Sequence, residues 1–143
     1  MTKEEIQKRL IKNGNPLSMN LFDWNANIKT LSIYENNVVI DLSETVDCGD
    51  YYTINCGHSC TINCQYSCTI DCGAYCTINC GDFCTVNCWS SCTINCGAYC
   101  TLNCGDFCVC IRKDIFEFFE IPAGVSIKLN KHLKKGWTNN EKK

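Results

Sequence analysis

The sequence predicts an all-β fold, a parallel β-solenoid built from eight-residue units. Three observations carry this. From Ile40 to Ile111 the chain divides without insertion into nine octads: IDLSETVD, CGDYYTIN, CGHSCTIN, CQYSCTID, CGAYCTIN, CGDFCTVN, CWSSCTIN, CGAYCTLN and CGDFCVCI. Within each unit the run Cys-Thr-Ile-Asn-Cys alternates with period two, the signature of a strand with two unlike faces. Glycine, Thr and Asn recur throughout, which argues against the helix that a four-residue cysteine period would otherwise suggest. Identical units that cannot bury a face alone do so by stacking.

Each octad reads as one short strand and one corner. Cysteine and the aliphatic residue face inward, while Thr and Asn face outward; Thr and Ile both favour strands. The Gly-x-[Tyr/Phe/Ser] piece makes the bend, with glycine expected to supply a positive φ. Agreement between units is best at a separation of 24 residues: Tyr51, Tyr75 and Tyr99 correspond, as do Phe83 and Phe107, and the two breaks in the glycine column, Gln65 and Trp89. Like stacking on like then predicts three octads per coil and a three-sided solenoid. A flatter coil of two octads, 16 residues, is the alternative.

The sixteen cysteines fit this scheme as core residues, because a free thiol behaves as a small hydrophobe. Stacked strands lie about 4.8 Å apart, whereas a disulfide wants Cβ atoms about 3.8 Å apart with a defined dihedral. Ladders of free thiols are expected.

The flanks read as caps on a single domain, with residues 1–39 before the octads and 112–143 after them. Thr2 and Glu5 form a capping box, and Ile6, Leu10 and Ile11 give an apolar stripe, which predicts a helix over residues 3–13. NLFDW, TLSIY and NNVVI suggest short strands leading into the first coil. IFEFFEI and VSIKL flank Pro122-Ala123-Gly124, a hairpin signal. A cap of this kind would cover the unpaired edge of the last coil. The lysine-rich end, KLNKHLKKGWTNNEKK, reads as a solvated tail.

Composition narrows the function. Net charge is −2, and no Lys or Arg occurs from 41 to 111, so nucleic acid is not an expected partner. No apolar run is long enough for a membrane span or a signal peptide, and a cytoplasmic or virion setting is expected. The cysteine spacing is C-x3-C, not the C-x2-C knuckle of zinc sites. Neighbouring coils could still gather sulfurs for a soft metal. His58 and His132 have no recognisable partner. Asp82 and Asp106 would stack on adjacent three-sided coils, the arrangement of an enzyme's acidic pair, but corner aspartates ordinarily accept backbone N–H bonds. No phosphate loop, hydride motif or serine elbow is present. No catalytic, cofactor or metal residue is assigned.

The octad C-T-I-N-C-G-x-x resembles that of octapeptide-repeat proteins of phage and bacterial genomes, whose units read roughly C-T-F-N-T-G-x-x. The exit VCIRKDIFEFFEIPAGVSIKLN is similar too. The resemblance spans residues 4–130 and implies a solenoid and a phage or microbial source, but no activity. A weaker resemblance, to β-solenoid antifreeze proteins, rests on the Thr-x-Asn strands Thr61-Ile62-Asn63, Thr77-Ile78-Asn79 and Thr93-Ile94-Asn95. The resulting expectation is a non-enzymatic structural or interaction solenoid with a protein or glycan partner. Self-association through the solenoid ends, ice binding and cysteine-based metal binding are carried beside it. Thr61, Asn63, Thr77, Asn79, Thr93 and Asn95 form its candidate outward ladder.

Overall fold

The computed structural model describes residues 2–42 and 51–139. It is an all-β solenoid of stacked parallel strands with little helix. Strands recur once per octad: β6 (Thr53–Asn55), β7 (Thr61–Asn63), β8 (Thr69–Asp71), β9 (Thr77–Asn79), β10 (Thr85–Asn87), β11 (Thr93–Cys96), β12 (Thr101–Asn103) and β13 (Val109–Arg112). Two earlier strands, β4 (Thr30–Ile33) and β5 (Val39–Asp41), join the same stack. Odd-numbered strands β5 to β13 form one sheet, and even-numbered strands β4 to β12 form the other.

Pairing fixes the coil length. Thr61-Ile62-Asn63 lies in parallel register on Thr77-Ile78-Asn79, and that on Thr93-Ile94-Asn95. Thr69 likewise meets Thr85 and then Thr101. Each coil is therefore two octads, and the expected 24-residue, three-sided coil is replaced by the 16-residue, two-sided alternative. One octad crosses the molecule and the next returns. The octad frame also fails at its start. Val39-Ile40-Asp41 takes the Thr-Ile-Asn role against β7, and Leu31 sits on Ile54. Residues 43–47 of the first octad, and Cys48, lie outside the described residues.

The strand faces follow from the alternation. Ile54, Ile62, Ile70, Ile78, Ile94 and their counterparts Val86 and Leu102 are fully buried, while the Thr and Asn beside them are mostly half-buried on the outer faces. Cysteines close the core at both edges. None of the fifteen described cysteines forms a disulfide, and all but Cys56 are buried. Tyr52, which stands where later octads have cysteine, is buried and packs against Trp24 at 5.6 Å between ring centroids.

Glycine does not make the corner. The positive φ falls two residues later, at Tyr51, Ser59, Ser67, Tyr75, Phe83, Ser91, Tyr99 and Phe107, with values from 58° to 64°. Where glycine stands it serves a different purpose, the close approach of the preceding coil. A Cβ on Gly73 would lie 3.1 Å from the His58 backbone, and one on Gly97 would strike the Asp82 carboxylate.

The N-terminal helix α1 is short, Lys3–Gln7, and keeps its capping box. The expected continuation to residue 13 is instead β1 (Leu10–Lys12), which pairs antiparallel with β5 and with β2 (Asn15–Pro16). β3 (Phe22–Asn25) covers β4 in the other sheet. The segment therefore closes both sheets, and a longer helix would have left the β5 edge bare.

At the other end the expected hairpin is absent. β14 (Glu117–Glu120) pairs antiparallel with β13, and β15 (Ser126–Leu129) pairs with β12. These two strands belong to different sheets, and Pro122-Ala123-Gly124 connects one to the other. β16 (Trp137–Asn139) then adds to β15, so the lysine-rich end is folded onto the cap as far as residue 139. Arg112 fastens it. This buried guanidinium holds Asp114 at 2.8 Å and Glu117 at 3.5 Å, and donates to the Lys131 and Lys134 carbonyls. His132 lies 3.3 Å from Asp114, so it has the partner that the sequence did not disclose. Among the described residues no helix is long and apolar enough to cross a membrane.

Candidate functional site

The six ladder residues fall on one surface. Thr61, Thr77 and Thr93 form one column on the outer face of the β7–β9–β11 sheet, and Asn63, Asn79 and Asn95 form the next. The carboxamides are linked in series: Asn95 donates to Asn79 at 2.9 Å, and Asn79 to Asn63 at 2.8 Å. A strand repeats its outward positions every second residue, so each rung presents one hydroxyl and one amide in a fixed pattern. The opposite sheet carries the same columns, but Asp71 interrupts its Asn series, where Asn103 donates to Asn87 at 2.7 Å. With two octads per coil, the three Thr-x-Asn strands fall in register on one sheet face.

The sequence did not disclose a groove along one edge of the stack, of about 1000 Å³. Asn55, Asp71, Asn87 and Asn103 line it, with Tyr75 and Trp89 at its rim. Trp89 is 73% and Tyr75 67% exposed. The signal was present in the octads as Trp89 in a glycine column, but its neighbours could be read only from the correct coil length.

The aromatic and acidic stacks are rearranged by that coil length. Phe83 stacks on Tyr99 at 4.8 Å with rings within 7° of parallel, and Tyr75 and Phe107 stand on the other edge. Trp89 and Tyr66 are likewise on opposite edges. Asp82 and Asp106 are also separated between the two edges, so they form no pair. Asp82 accepts the Ala98 N–H at 2.8 Å, the backbone role expected of a corner aspartate. The His58 ring lies 3.1 Å from the Ser59 hydroxyl.

The corner thiols have a structural task. Cys92 donates to the Gly73 carbonyl at 3.4 Å, Cys100 to Gly81 at 3.2 Å and Cys108 to Trp89 at 3.1 Å, each reaching back to the preceding coil. Cys108 Sγ also accepts an N–H, from Cys92 at 3.4 Å, as Cys76 Sγ does from Cys60. An aliphatic side chain would fill the space but could make none of these bonds. Burial pushes the Cys108 thiol up to about 12, in keeping with an S–H donor. The Cys96 and Cys110 sulfurs are 3.7 Å apart, well beyond the bonded distance of about 2.05 Å.

Comparison of the chain with protein-family models, with curated proteins and with solved structures gives no match.

Proposed function

We propose that this chain is a non-catalytic recognition solenoid that binds an extended, hydroxyl-rich ligand, a glycan, along the edge groove. One observation carries the reading: a row of amide and carboxylate groups, Asn55, Asp71, Asn87 and Asn103, lines the same groove as the exposed rings of Tyr75 and Trp89. Aromatic faces supply apolar area with a defined geometry. Amides and carboxylates offer the donors and acceptors that fix hydroxyls. The groups repeat with the strand spacing, about 4.8 Å, which suits a polymer lying parallel to the stack. A glycan array probed with the full chain tests the proposal. Binding to an extended glycan, lost in Trp89→Ala and weakened in Asn87→Ala, is the expected result. Binding that survives Trp89→Ala, or an array with no hits, would count against it.

A second reading, ice binding, is favoured by the unbroken Thr-x-Asn ladder over three rungs of the β7–β9–β11 sheet. Thermal hysteresis separates the two readings. The ice reading requires activity that Thr77→Tyr abolishes by spoiling the flat face, whereas the glycan reading requires none.

A further inference from the structure

We propose that Cys88, Cys104 and Cys108 form a binding site for a soft, thiophilic d10 cation, copper(I) being the best match. The three sulfurs come from two adjacent coils and all lie within 4.8 Å of one another. Cys88 and Cys108 are 4.0 Å apart. Among the described residues no other three His, Cys, Asp or Glu donors converge in this way, although the octad places cysteines at equivalent positions in every coil. The convergence occurs where the repeat departs from itself. Trp89 follows Cys88 in a column otherwise mostly glycine, and the Gly105 N–H is shared between the Cys88 and Trp89 carbonyls, each at 3.2 Å. At the regular corners the equivalent glycine N–H meets one carbonyl, as Gly73 meets Gly57.

The donor set selects the ion. Three thiols with no imidazole or carboxylate suit a soft metal. Three coplanar sulfurs, each about 2.3 Å from a central ion, lie about 4.0 Å apart, so the observed triangle needs only a small contraction. A trigonal site of this kind satisfies copper(I) outright, whereas zinc would require a fourth donor. The ion also has a way in. Cys88 lines both the edge groove and a second depression of about 590 Å³ that Cys104 shares, and Cys88 and Cys104 keep 7% and 5% of their surface exposed. Each sulfur that ligates as thiolate releases one proton to solvent. Cys108 then gives up its bond to the Trp89 carbonyl, which keeps the Gly105 N–H.

The test is anaerobic titration of the full, reduced chain with copper(I) against a chromophoric chelator, with stoichiometry from native mass spectrometry. One equivalent should bind most tightly. Cys104→Ser should weaken that equivalent at least tenfold, and Cys80→Ser, on the opposite edge, should leave it unchanged. X-ray absorption of the wild-type chain loaded with one equivalent should show three sulfur neighbours, a readout independent of whether the Cys104 variant folds. No binding, several equivalents of equal affinity, equal losses in the two variants, or two sulfurs around the metal would each overturn the proposal.

Discussion

Ile78→Ala probes the ladder where its neighbours are most constrained. Ile78 is fully buried on β9, with Ile62 and Ile94 in register on either side. The substitution removes three carbons. At about 0.8 kcal/mol per buried methylene, transfer alone accounts for about 2.4 kcal/mol. The coils on both sides are held by their own hydrogen bonds, so the space cannot close freely and a cavity cost is added. A loss of about 3–4 kcal/mol is expected, inside the range of about 2–5 kcal/mol for such truncations. Thr77→Ser, one residue away on the outer face, should cost less than about 1 kcal/mol. Urea unfolding followed by far- and near-ultraviolet circular dichroism measures both, and coincident transitions with equal slopes make the comparison valid. If Thr77→Ser costs as much as Ile78→Ala, the assignment of inner and outer faces is wrong.

Three further outcomes are expected. Arg112 holds the Asp114 carboxyl down at about 2, below its value of about 3.9 in an unfolded chain. That contribution, about 2.5 kcal/mol, is complete above about pH 4 and is lost as pH falls toward about 2. Acid unfolding should therefore be shallower over that window in Asp114→Asn, and an unchanged slope would show that the pair does not act. Alkylation of the native, reduced protein should be slow at nearly all cysteines and complete in denaturant, since burial keeps the reagent from the thiols; fast native labelling would contradict the thiol core. Truncation after Arg112 should bare the β12 and β13 edges and produce growing, elongated species by light scattering, whereas a stable monomer would mean that β14 and β15 are not caps.

The strand faces were legible in the octads, and the coil length was not, for one physical reason. Inward positions are nearly the same in every unit, so they fit any number of octads per coil. The variation that suggested 24 residues sits at corners, where Tyr75 and Phe107 are 67% and 75% exposed and like side chains need not stack. Tyr75 and Tyr99 in fact occupy opposite edges. The Thr61-to-Asn95 ladder could be named from sequence, but its gathering on one face required the pairing register. The Asn55-to-Asn103 groove and the Cys88–Cys104–Cys108 triangle depend on the same register and were hidden with it. At the C-terminus, alternation showed β14 and β15 as strands but could not show that two separate sheet edges needed covering.

Because each octad is half a coil, the solenoid obeys a parity rule. Two octads added or removed together would change the length of the stack and leave every later strand on its own sheet. A single octad would deliver the chain to the wrong side of the molecule. β14 and β15 would then each face the other's edge, and Arg112 would reach its clasp from the opposite direction. The unit copied in the sequence and the unit tolerated by the fold are thus different sizes. An insertion of 16 residues between β9 and β11 should melt as a cooperative, capped protein, and an insertion of eight should not.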